Sequence, residues 1–125
     1  MDAKDLAVGL AGGRIAIGVV SLLMPAVVGR AMMGPDGDSG GARLFLRVVA
    51  ARDLALGIGV LAALDRNVPV RGWLRASAVV DGLDAAGSLL ARHRLRPTVF
   101  PAAAAGATAG ALLSGWLAGQ LDGTR

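Results

Sequence analysis

Four apolar stretches divide the chain, and each is bounded by residues that stop a helix. Leu6 to Met24 runs into Pro25, Arg43 to Leu64 is followed by a polar turn at 65–69, Val70 to Ala91 gives way to a basic turn at 92–97, and Thr98 to Leu117 completes the set. Each approaches the roughly 20 residues a helix needs to cross a bilayer core. Pro25, Pro69 and Pro97 cannot continue a helix, and the glycines around Asp36 and Asp38 favour a loop over 34–41. No run alternates with period two, so no barrel strand is expected. The pattern predicts an all-α fold: a single-domain, integral membrane four-helix transmembrane bundle over residues 1–125, with both termini on the same side.

The aromatic residues fit this register. Trp73 opens the third span and Trp116 closes the fourth, which puts both at one interface, where tryptophan is enriched. Phe45 and Phe100 land together at the other. Small-xxx-small pairs (Gly9 and Gly13, Gly106 and Gly110, Gly115 and Gly119) predict close helix packing within the chain.

Composition supports a membrane rather than a soluble chain. Apolar residues make up 54% of the 125 residues and charged ones only 18%, too few to dress a soluble domain of this size. The net charge of +4 is almost entirely arginine, spread over loops and apolar segments. A nucleic-acid binder would gather its arginines on one face beside aromatic platforms, so no nucleic-acid partner is expected. The absence of cysteine excludes disulfides and thiolate metal sites within the chain, and neither a metal nor a cofactor is expected. Lys4, Arg66, Arg71, Arg75 and Arg125 fall on the side of the termini, against Arg30, Arg43, Arg47, Arg92, Arg94 and Arg96 on the other. The positive-inside rule leans, by one charge, toward placing the second set in the cytoplasm.

The informative residues are the charges at membrane depth. Arg14 lies near the middle of the first span, Arg52 and Asp53 near the middle of the second, and Asp81 and Asp84 in the middle third of the third. A charge at the bilayer centre costs about 2.5–3.5 kcal/mol, so it turns toward the bundle interior and a partner. Ser77, Asp81, Asp84 and Ser88 follow a helical spacing that sets them on one face, and Arg92 extends the stripe. A core network of Arg14, Arg52, Asp53, Asp81 and Asp84 is therefore expected, with Ser77 and Ser88 as an accessory polar stripe. Two arginines face three aspartates, an imbalance met by Arg47 reaching inward or by one aspartate carrying a proton. Such a network can fix helix register, or it can form a site for a proton, an ion or a headgroup.

Other motifs carry less. Gly37-Asp38-Ser39-Gly40-Gly41 spells the nucleophile signature of chymotrypsin-like proteases, but the one histidine, His93, sits in a basic turn, and the fold that houses the signature is a larger β-barrel. Asp36 and Asp38 open like a calcium loop whose twelfth position, a glutamate in such loops, is Arg47. Asp81-x-x-Asp84 has the spacing of magnesium–diphosphate aspartate pairs, which use more carboxylates. Gly57-x-Gly59 lacks the context of a dinucleotide loop and reads as packing.

Residues 43–64, with Ala51-Arg52-Asp53-Leu54-Ala55-Leu56-Gly57, then Gly59 and Leu61, resemble the second helix of a group of small bacterial membrane proteins. That group is a domain of unknown function, loosely similar to DoxX-like four-helix proteins. The resemblance extends to Arg14, to Arg71-Gly72-Trp73-Leu74 and to Asp81-x-x-Asp84. It implies a four-helix membrane fold and, through DoxX-like proteins, a link to redox partners and to quinone or thiol metabolism. No cysteine or haem-ligand pair in these residues supports that link independently.

The expected function is that of a small multi-pass protein of the cell membrane, a non-enzymatic structural or accessory subunit. Its partners are the lipid bilayer and either a second copy of itself or a larger membrane complex. The alternatives are a small transporter of protons or lipophilic solutes, and an intramembrane acid–base enzyme acting on a quinone- or terpenoid-like substrate.

Overall fold

The computed structural model describes residues 1–121; Arg125, counted above with the charges of the terminal side, lies outside the described residues. The described chain is all-α, with five α-helices and no strand. They are α1 (Ala3–Leu23), α2 (Pro25–Met33), α3 (Gly40–Asp65), α4 (Arg71–Leu90) and α5 (Val99–Gln120), with a 3-10 turn at Gly34–Asp38.

The four long helices cover the four apolar stretches, and local chemistry sets their ends. Helix α1 begins before Leu6 because Asp2 and Asp5 form a reciprocal capping box, the Asp5 N–H donating to Asp2 Oδ1 at 2.8 Å. Helix α3 begins before Arg43 because the Ser39 hydroxyl accepts from the Ala42 N–H at 3.1 Å.

The short helix α2 departs from the expected four. Pro25 ends α1 but also occupies the first position of α2, where its missing N–H and fixed φ are suited to a helix start. Helix α2 then stops at Gly34, whose φ of 70° is open to glycine at little steric cost. The segment expected as a loop is thus held by the 3-10 turn, with Gly29 and Gly37 in backbone contact.

The long helices associate as two antiparallel pairs, α1 with α3 and α4 with α5. Gly18 and Gly57 set the first pair: a Cβ at Gly18 would lie 2.9 Å from Leu54 Cγ, and one at Gly57 would lie 2.8 Å from the Ala11 carbonyl oxygen. Gly59 similarly admits the Trp73 ring, which agrees with reading Gly57-x-Gly59 as packing. Of the expected small-xxx-small pairs, only Gly110 meets a neighbouring helix. A Cβ at Gly9, Gly13, Gly106, Gly115 or Gly119 would meet nothing within 4 Å.

The two pairs meet at the end that carries the N-terminus. Ala7, Ala11, Val60, Ala63, Val70, Leu74, Leu117 and Ala118 form a continuous buried cluster there. Arg71 Nε also donates to the Ala118 carbonyl at 3.2 Å across α4 and α5. Toward the opposite end the pairs separate. Helix α2 packs on α3 at that end, and the Met32 carbonyl accepts from the Arg96 N–H at 3.0 Å, tying α2 to the turn before α5.

Helices α1 and α5 are long and apolar enough to cross a membrane; α3 and α4, expected to do the same, each carry several charged residues along their length. Several of those charges face inward, while Leu44, Val48, Ile58, Val79 and Leu83 face outward and are more than half exposed.

Candidate functional site

The five charges singled out in the sequence lie together between the helix pairs. Arg14 on α1 reaches two helices: Nη1 donates to Asp53 Oδ1 on α3 at 3.1 Å and Nη2 to Asp81 Oδ2 on α4 at 2.5 Å. Arg52 on α3 donates to both carboxylate oxygens of Asp84 on α4, at 3.0 and 2.8 Å, and to Asp53 Oδ1 at 3.2 Å. Asp53 therefore joins two guanidiniums, and the network links α1, α3 and α4. Arg14 is the inner cation, with a side chain 9% exposed, while Arg52 at 29% and Asp84 at 42% form the outer pair.

Helix α5 contributes by having no side chain at one point. A Cβ on Gly110 would lie 2.6 Å from Asp81 Oδ2, so this glycine makes room for the carboxylate that Arg14 holds. The sequence offered Gly110 only as half of a packing pair with Gly106. Its relation to Asp81 depends on the pairing of α4 with α5, which no local spacing encodes.

Arg47 does not reach inward. It is exposed on the outer face of α3, and among the described residues Arg14 and Arg52 are the only cations that pair with the three aspartates. Two guanidiniums thus face three carboxylates. Hydrogen bonding is incomplete as well. Arg52 Nε is buried without an acceptor, and Asp53 Oδ2 and Asp81 Oδ1 accept no hydrogen bond.

Beside the network lies a cavity of about 690 Å³ between the two helix pairs. Arg14, Asp53, Asp81 and Asp84 form its polar end. Its walls are apolar, with Ile17 from α1, Val28 and Met32 from α2, Leu46 and Val49 from α3, and Ala107 from α5. Gly9, Gly13 and Gly106 also line it, which explains why a Cβ there meets open space. Ser88 contributes a half-buried hydroxyl, whereas Ser77 is buried on the closed side near Ala7 and Ala11. Arg92 takes no part: it lies in the turn after α4, and its guanidinium donates to the Leu89 carbonyl at the end of that helix at 3.0 Å.

The Gly-Asp-Ser-Gly-Gly segment has a structural use. Asp38 pairs with both Arg43 and Arg30, and Ser39 caps α3. The hydrogen bond from Arg43, reinforced by that from Arg30, holds the Asp38 carboxyl below the ordinary carboxylate range. Phe45 lines the cavity, and Trp73 and Trp116 lie part-exposed near the opposite end.

The chain matches none of the protein-family models, curated proteins or solved structures with which it was compared.

Proposed function

We propose that the chain is a multi-pass membrane protein, a four-helix bundle with α1, α3, α4 and α5 as its spans, that holds a lipophilic small molecule between its helices. The observation that carries this reading is the cavity of about 690 Å³ with apolar walls and one ionic end. Ligand sites commonly have this volume and this lining, with few polar groups set to orient the ligand. The exterior supports the membrane reading. Large apolar side chains face outward along all four long helices while Arg14, Asp53 and Asp81 turn inward, the reverse of a water-soluble surface. The resemblance of residues 43–64 to small bacterial membrane proteins that are loosely similar to DoxX-like proteins implies the same arrangement.

The ionic network has a structural share in this reading. It fixes the register of α1, α3 and α4, as expected of an accessory subunit with a buried Arg/Asp core. A role in that core alone leaves the cavity without a purpose, so a binding or carrier role is the better account.

The cysteine-free chain allows a direct test. Single cysteines replacing Lys4 and Val68 are expected to react with an impermeant maleimide from one face of the membrane, and those replacing Asp36 and Arg94 from the other. Labelling of all four from one face would overturn the four-span topology. For binding, a neutral solvatochromic dye is expected to bind the purified protein saturably in lipid nanodiscs. Gly106→Leu, which fills space next to the cavity, should remove that signal with the fold intact. Dye binding no different from that of empty nanodiscs would overturn the ligand reading.

A further inference from the structure

We propose that the cavity selects a lipophilic cation, a molecule with a protonated amine or an onium centre on an apolar body. The inference rests on the cavity reading above and deepens it by naming the ligand's charge. Three carboxylates, Asp53, Asp81 and Asp84, line the cavity against one guanidinium, Arg14; Arg52 is not part of the lining. Counting Arg52 with the network still leaves one carboxylate without a guanidinium, a place that a proton or a bound cation can fill, and no other cation among the described residues supplies it.

The geometry locates the unmatched charge. Asp53 and Asp81 are only 9% and 8% exposed. Each spends one oxygen on Arg14 and keeps the other, Oδ2 of Asp53 and Oδ1 of Asp81, free of hydrogen bonds. Neither oxygen is sealed from the surroundings, since the buried side-chain atoms without partners are Arg52 Nε and Ser114 Oγ. The two residues that carry these under-used oxygens line the polar end of an apolar cavity. In a weakly polar setting this favours a positive centre and repels a negative one far more strongly than in water. Ile17, Val28, Met32, Leu46 and Val49 offer the ligand's body a surface with no competing charge.

A matched pair of probes tests this directly. Tetraphenylphosphonium and tetraphenylborate share a shape and differ in sign, and a neutral tetraphenyl compound of the same shape completes the set. Binding of each is measured by equilibrium dialysis against the full chain in nanodiscs of zwitterionic lipid, with empty nanodiscs subtracted. The cation is expected to bind saturably, about tenfold or more tighter than the anion, with the neutral compound between them. Asp81→Asn should weaken the cation more than the neutral compound, narrowing the ratio between the two. Equal binding of all three probes would overturn the charge selection while leaving the lipophilic cavity in place. Binding of none would overturn both readings. The wild-type comparison needs no variant, so a misfolded Asp81→Asn protein does not remove the test.

Discussion

Replacing Arg14 with methionine tests how the bundle uses its charges. Arg14 holds Asp53 at 3.1 Å and Asp81 at 2.5 Å, and its side chain is 9% exposed. The methionine keeps most of the apolar stem and deletes both ion pairs at once. On the proposed membrane reading, the hydrogen bonds themselves are a small part of the loss, because side-chain bonds between membrane helices average about 0.6 kcal/mol each. The larger part is two buried carboxylates left close together, and breaking a buried pair on one side costs about 3–5 kcal/mol. Arg52→Met should cost less, about 1–3 kcal/mol, because the Asp84 side chain it abandons is 42% exposed and can recover polar contacts. Neutralising the partners as well, in Arg14→Met with Asp53→Asn and Asp81→Asn, should recover much of the loss, since no unpaired charge then remains. The assay is reversible unfolding in mixed micelles, followed by the fluorescence of Trp73 and Trp116. Equal losses for Arg14→Met and Arg52→Met, or a triple variant less stable than the single one, would refute the reasoning.

Three further outcomes follow from the same geometry. Gly57→Ala should destabilise by about 1–3 kcal/mol, because its Cβ meets the Ala11 carbonyl and Ile15; Gly9→Ala, with open space around it, should be neutral or gain up to about 1 kcal/mol in helix propensity, both read by the same unfolding titration. Gly110→Ala should disturb the Arg14–Asp81 pair without adding or removing charge, seen as lower stability that is largely absent in an Asp81→Asn background; an undiminished loss there would place the effect in α4–α5 packing instead. Asp38 has a folded-state pKa below its ordinary value, so its contribution is present in full above about pH 4 and is lost as the pH falls through the folded value. Protection from hydrogen exchange over residues 34–43, taken relative to the intrinsic rate at each pH, should fall on acidification in that range, and Asp38→Asn should show the lower protection already at neutral pH.

Much of the secondary structure was legible along the chain. Prolines, turn residues and apolar length mark the four long helices, because backbone preferences and helical spacing are local properties. The stripe of Ser77, Asp81, Asp84 and Ser88 could likewise be placed on one face of α4 from spacing alone. Helix α2 was missed because Pro25 can end one helix and start another, and the choice depends on what Pro25–Met33 packs against.

Which partner each charge takes was decided only by the tertiary structure. Arg14 rather than Arg47 reaches the aspartates because α1 lies antiparallel to α3 and Arg47 points outward from it. The glycines divide in the same way. Gly18, Gly57, Gly59 and Gly110 meet a neighbouring element, while Gly9, Gly13 and Gly106 border empty space, and nothing in their local sequence separates the two groups. The cavity is the extreme case, since it is space left where two well-packed helix pairs diverge. Local spacing can name the residues that turn away from the outer face, but the volume they border is a property of helices far apart in the chain.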